Sequence, residues 1–155
     1  MTTPIPDPAS ALADLCHSNG LVAVFVFGSR EQEIAARLRC KESPPSDSSS
    51  DLDLAILPPH EADFNVRMIV RFASAVEDLF GVPRADIVDL RKAPPYLALD
   101  AIKGELLYSA DDIQVANFEL FVLRRAGDLA FHERERRRML LEPHAEIDVG
   151  SSWLG

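Results

Sequence analysis

The spacing of apolar positions switches repeatedly between a helical and a strand period, which predicts helices and strands in turn. Leu12, Leu15 and Cys16 lie on one side of a first helix. Asp7-Pro8 opens it, an N-cap residue with proline at the first helical position, and Asn19-Gly20 closes it with a left-handed terminator. Residues 21–27 form an unbroken β-branched and aromatic run, the pattern of a strand buried on both faces. Gly28-Ser29 breaks that run, and residues 30–40 read as a helix with Ile34, Ala35 and Leu38 on one side. Residues 51–57 predict a second strand, closed by Pro58-Pro59. Over 61–80 the spacing of Ile69, Phe72, Val76 and Leu79 marks an amphipathic helix that Gly81 ends. Residues 86–90 are a third strand, Pro94-Pro95 introduces a short helix through Ile102, and 106–108 give a last short strand. Ser109 and Asp112 stand three apart, as a capping box would have them, ahead of a long helix to about Leu141.

This order predicts an α/β (α+β) fold, a small mixed β-sheet flanked by helices and followed by a long C-terminal helix. Residues 1–110 are expected to form the domain proper. Residues 111–141 form the C-terminal helix, packed on that domain or on a partner, and 142–155 are a loose tail. The stretch Ser43-Pro44-Pro45-Ser46-Asp47-Ser48-Ser49-Ser50 denies a helix its continuity and a core its side chains, so it predicts a mobile loop. At 155 residues the chain has room for one domain with a substantial core and no need of a disulfide or metal staple.

Composition narrows the partners. No apolar run is long enough to cross a bilayer, so no membrane partner is expected. Cys16 and Cys40, without metal-type spacing, suit a reducing cytoplasm. The four histidines show no zinc spacing either. A net charge of −9 sets the molecule as a whole against phosphate backbones, which makes nucleic acid a poor partner. The charge is uneven: residues 124–138 hold six arginines against Asp128, Glu133 and Glu135. That stretch is either a solvated helix face or a surface for a partner.

The sharpest local signal is Ser50-Asp51-Leu52-Asp53-Leu54. Strand alternation points Asp51 and Asp53 the same way, with Leu52, Leu54 and Ile56 on the other face. Two such carboxylates repel one another unless a cation sits between them, and Mg²⁺ commonly uses one or two carboxylates plus phosphate oxygens. The competing reading is a strand end whose acids face water. The third strand adds Asp86 and Asp89, which are three apart and point to opposite faces. Three carboxylates from two strands can hold two cations about 3.5–4 Å apart, the arrangement that clamps attacking and leaving oxygens in phosphoryl-type transfer. Upstream, Phe27-Gly28-Ser29-Arg30 ends the first strand. Gly28 permits a tight turn and close approach, the following helix N-terminus offers N–H groups to an anion, Ser29 adds a hydroxyl and Arg30 a fork for phosphate.

Together, Phe27-Gly28-Ser29-Arg30, residues 50–57 and Ala85-Asp86-Ile87-Val88-Asp89-Leu90 resemble the minimal nucleotidyltransferases (MNT proteins) of the DNA polymerase β superfamily. The downstream Arg91-Lys92-Ala93-Pro94-Pro95 and residues 102–108 look like the MNT partners of HEPN toxins. The resemblance implies a nucleotidyltransferase fold. Ser29 and the amides beside Gly28 would hold the outer phosphates of ATP, with Arg30 alongside. Asp51 and Asp53 would bind two Mg²⁺ ions, and Asp86, which occupies the family position where periodicity alone does not choose between it and Asp89, would complete the site. The implied reaction passes AMP to a hydroxyl, typically a tyrosine of the HEPN ribonuclease, and silences it. One departure stands out: 21 residues (30–50) separate Ser29 from Asp51, about twice the usual spacing. They put Glu31 and Glu33, unhelpful charges, beside the expected phosphate site, and the segment is expected either to move over the site or to supply Arg37, Arg39 and Lys41 to a partner.

Three functions follow as expectations. The first is a cytoplasmic adenylyltransferase acting as antitoxin to a HEPN toxin. The second is an enzyme on the same scaffold that modifies a small molecule such as an aminoglycoside. The third is a binding module that neutralises its partner by contact alone. Phe118, Leu120, Phe121, Leu129 and Phe131 exceed what one buried helix face needs, so the C-terminal helix is expected to meet a partner or a second copy of the chain.

Overall fold

A computed structural model describes residues 7–40, 51–60 and 64–142. The order of elements is α1 (Pro8–Ser18), β1 (Ala23–Phe27), α2 (Glu31–Cys40), β2 (Leu52–Leu57), α3 (Val66–Phe80), β3 (Ala85–Asp89), α4 (Pro95–Ile102), β4 (Glu105–Ser109) and α5 (Asp112–Leu141). A 3₁₀ turn at Gly28–Arg30 joins β1 directly to α2. The strands form one mixed sheet in the order β3-β2-β1-β4. β2 runs parallel to β3, and β1 is antiparallel to both of its neighbours.

The two inner strands have helices on both faces, which is why they read as continuous apolar runs. On one face Val24, Val26, Leu52, Leu54 and Ile56 pack against Leu12, Cys16 and Ile34 and against Phe72, Val76 and Phe80 of α3. On the other, Ala23, Phe25, Ala55 and Leu57 meet Ala98 and Ala101 of α4 and Val115 and Val122 of α5. Each large apolar side chain buried in this way contributes about 1.5–3 kcal/mol relative to exposure. Among the described residues, no helix is long and apolar enough to cross a membrane.

Several local details differ from the sequence expectation. α3 begins at Val66 and not at 61, because Asn65 is its N-cap and accepts from Met68 N–H (3.1 Å); residues 61–63 lie outside the described residues. α5 is capped by Asp111, not Ser109. Asp111 Oδ1 accepts from the N–H groups of Ile113 (3.0 Å) and Gln114 (3.2 Å). Ser109 is still paired with Ala23 in the sheet, and its hydroxyl donates to Asp112 instead (2.6 Å). Arg37 does not reach out to a partner. It is 5% exposed, donates to Phe80 O (3.0 Å) and lies over the Phe80 ring, pinning α2 to the end of α3. The expected serine- and proline-rich loop at 43–50, Lys41, and residues 143–155 lie outside the described residues.

α5 outruns the body it packs on. Its 30 residues span about 45 Å, whereas strands of five or six residues span under about 20 Å. Its buried residues are Val115, Val122 and Ala126, all in the first half. Tyr96 of α4 donates to Glu133 of α5 (2.8 Å), a polar tie between these two helices.

Candidate active site

The acids and the glycine turn come together because of sheet register. β1 pairs Phe27 with Asp53, and β2 pairs Asp53 with Asp86, so the three residues form a row across β1, β2 and β3 on one face. Asp51, two residues before Asp53, lies on the same side of the chain just ahead of β2. Asp89 sits opposite Ile56, toward the far end of the strands and on the other face. It accepts from Arg91 N–H (2.9 Å) and stands 4.0 Å from Lys92 Nζ. The register therefore brings Asp51, Asp53 and Asp86 together and leaves Asp89 apart.

Asp53 is the half-buried residue of a strand whose other members, Leu52, Leu54, Ala55, Ile56 and Leu57, are buried. Its carboxyl is pushed up from its ordinary value, first by burial, then by the carboxylates of Asp86 and Asp51. A charge held this way is stabilised by any cation that arrives among the three acids. Asp86 already has one positive neighbour: Arg84 Nε donates to its Oδ1 (3.2 Å), with both side chains largely in solvent. Sequence reasoning did not single out Arg84, although its position two residues before Asp86 places both on one side of an extended chain.

Gly28 explains the approach of β1 to this cluster. Its φ is +80°, and an ideal Cβ there would lie 2.6 Å from Asp53 Oδ2. Only a residue without a side chain lets the backbone pass so close to the carboxylate. Gly104, between α4 and β4, is similarly constrained: a Cβ would collide with the carbonyl oxygen of Val26 on β1. Ser29 is exposed beside Gly28, at the head of the turn that becomes α2.

Arg30 stands differently from the phosphate fork expected of it. It is 3% exposed, and its guanidinium grips Glu33 with two bonds, from Nε to Oε2 (3.0 Å) and from Nη2 to Oε1 (3.2 Å). The same pairing answers the concern over Glu33, whose charge is met by Arg30 at i,i+3.

The donor set suits a hard cation. Three carboxylates on one open face match the oxygen preference of Mg²⁺, which takes few protein ligands and completes its shell with phosphate oxygens and water. Among the described residues no three acidic, imidazole or thiol groups already converge into a cage.

The chain matches a known family. Residues 11–113, from α1 to the start of α5, match Polymerase beta, Nucleotidyltransferase, and the chain belongs to that family. Solved structures of similar fold come from toxin–antitoxin complexes. A chain of a toxin–antitoxin crystal structure with AMP-PNP aligns with a TM-score of 0.58 at 19% identity, over 85% of this chain and 94% of that one. A chain of the toxin–antitoxin MntA–HepT aligns at 0.60 and 15%, over 86% and 97%. A chain of the tri-AMPylated Shewanella oneidensis HEPN toxin in complex with MNT antitoxin aligns at 0.60 and 15%, over 86% and 96%. No curated protein matches the chain.

Proposed function

We propose that this chain is a metal-dependent nucleotidyltransferase that moves AMP from ATP to a hydroxyl of a cognate HEPN toxin, in the cytoplasm, and so acts as an antitoxin. The observation that carries the reading is the row Phe27, Asp53 and Asp86 with Gly28 turning beside it. A glycine turn abuts a carboxylate raised by burial and by its two acidic neighbours. Nucleotidyltransferase family membership supports the reaction class. Likeness to chains of structures containing AMP-PNP or a tri-AMPylated HEPN toxin supports the nucleotide and the acceptor.

Asp51, Asp53 and Asp86 would hold two Mg²⁺ ions, which supply neutralising charge for the triphosphate and for the oxygens that gain charge during transfer. Ser29 Oγ and the backbone N–H groups beside Gly28 bind the outer phosphates at the head of the helical segment. Arg30 braces this turn through Glu33 rather than touching phosphate. The acceptor, a tyrosine hydroxyl in this reading, is placed in line with the α-phosphorus. A bond forms between its oxygen and that phosphorus, the bond to the bridging oxygen breaks, pyrophosphate leaves, and the hydroxyl proton departs on the carboxylate side of the site. The Asp53 carboxyl, raised by burial and by its acidic neighbours, gains from any positive charge that the ligands bring.

Residues 1–110 carry this chemistry and α5 carries the docking. The side of α5 away from the body exposes Ile113, Leu120 (58% exposed), Leu123 and Phe131 (54% exposed), next to the arginines of 124–138. This face favours one second reading, neutralisation of the toxin by contact alone. Co-expression with the toxin separates the two. Under the transferase reading, Asp53→Asn keeps the complex and loses protection. Protection by Asp53→Asn equal to wild type supports contact.

A further inference from the structure

A cavity of about 420 Å³ opens at the other end of the sheet from the acids, between the ends of β2 and β3 and the first half of α5. Leu57 and Leu90 form part of its wall. Leu57 is four residues along β2 from Asp53, roughly 13 Å at a strand rise of about 3.3 Å per residue, so the two sites are separate. The volume lies within the range of small-molecule sites, about 300–1,000 Å³.

Its lining has a consistent chemistry. In a chain of net charge −9, the cavity is lined by two guanidiniums, Arg91 and Arg125, and, among the described residues, by no acidic side chain. Each guanidinium lies over a phenylalanine ring of the same wall. Arg91 is 5.8 Å from the centroid of Phe118, and Arg125 is 5.4 Å from that of Phe121. Arg91 is anchored by donation from Nε to Pro58 O (2.6 Å). No carboxylate among the described residues lies within ion-pair distance of either arginine. Burial pushes the Arg91 guanidinium down, with Asp89 offsetting part of the effect, so a partly desolvated cation lines the cavity. Gln114 and Asn117 add carboxamides to the same helix stripe.

We propose that this cavity is a second ligand site, for an anion of mononucleotide size: a phosphate on the two arginine forks and a planar ring against Phe118 and Phe121. The parts match that ligand one by one. Guanidinium forks bind phosphate through paired hydrogen bonds, aromatic side chains stack on bases of any identity, and carboxamides bond the polar edge of a base. The site is independent of the acids, so it holds its ligand without divalent metal.

The test is titration of the full chain with AMP by calorimetry in the presence of EDTA, which removes the metal-dependent site from the readout. Saturable binding by wild type and by Asp51→Asn/Asp53→Asn is expected. Weakening of roughly tenfold or more is expected in Arg125→Glu and in Phe121→Ala, both exposed positions whose fold is checked by circular dichroism. Absence of binding overturns the proposal, as does binding lost with Asp51→Asn/Asp53→Asn but kept in Arg125→Glu. Competition by inorganic phosphate equal to that of AMP overturns the ring component. If AMP does not bind and Arg125→Glu instead breaks the complex with a partner protein, the cavity belongs to the docking face of α5 and the proposal fails.

Discussion

Gly28→Ala tests the architecture of the site through stability alone, without any substrate. Two penalties act at this position. The left-handed φ of +80° costs a residue with a Cβ about 1–2 kcal/mol relative to glycine. The new Cβ would also sit 2.6 Å from Asp53 Oδ2, and overpacking of this kind costs about 1–3 kcal/mol. Asp53 is only half-buried, so its carboxylate can move aside, which sets the contact penalty at the lower end. The expected total is about 2–3 kcal/mol, or a fall in Tm of about 4–12 °C for a chain of this size. Urea denaturation of wild type, Gly28→Ala, Asp53→Ala and the double variant separates the two parts. With the carboxylate gone, only the backbone penalty should remain, so Gly28→Ala should be milder by about 1 kcal/mol in the Asp53→Ala background. Asp53→Ala by itself should not destabilise the protein at neutral pH. A carboxyl raised in the folded state makes ionisation unfavourable to the fold above the ordinary range, and the substitution removes that charge. The reasoning is refuted if Gly28→Ala stays within about 0.5 kcal/mol of wild type, or if its effect is equal in both backgrounds.

Burial pushes the Cys16 thiol up from 9.0 to about 12. Its folded value lies above the unfolded one, so stability should fall as pH rises above 9.0, where the unfolded thiol ionises first. In a Cys40→Ser variant, labelling of Cys16 by a thiol reagent should follow unfolding, and rapid labelling independent of denaturant would contradict its placement. Phe72→Ala, in the middle of the buried face of α3, should cost about 3–5 kcal/mol in denaturant titration; a loss below about 1 kcal/mol would contradict the packing. Asp111 is lowered from 3.8, chiefly by the N–H of Gln114, so its capping should stabilise α5 above 3.8 and fade as pH falls through the lower folded value. The stability gap between wild type and Asp111→Ala should narrow in acid, and a pH-independent gap would show that the charged cap has no role.

Much of the fold was legible because apolar period alone marks β1, β2 and α3. Asp51 and Asp53 were legible as a pair because alternation is local. Which acid joins them is not a local matter: Asp86 and Asp89 differ only through the pairing of β2 with β3, which sets Asp86 beside Asp53 and Asp89 beside Ile56. The same holds for Gly28, whose contact with Asp53 depends on the register of β1 against β2. Arg30 was expected to grip phosphate and Arg37 to meet a partner, roles that need solvent-facing guanidiniums. Both are buried, Arg30 against Glu33 and Arg37 against the carbonyl and ring of Phe80. The first had a signal in its i,i+3 spacing, whereas the second pairs residues 43 apart in sequence. The cap of α5 was misplaced because Ser109 and Asp111 are both capping residues, and the ladder to Ala23 keeps Ser109 in β4.

The central claim, that Asp51, Asp53 and Asp86 transfer AMP to a protein acceptor, is tested most directly by intact-mass analysis of the partner encoded by the neighbouring gene. The partner would be co-expressed once with wild-type chain and once with Asp51→Asn/Asp53→Asn. The account predicts a gain of one or more AMP units with wild type and none with the double variant, while both complexes purify together. A stable complex whose partner keeps its unmodified mass in the presence of Mg²⁺ and ATP would contradict it.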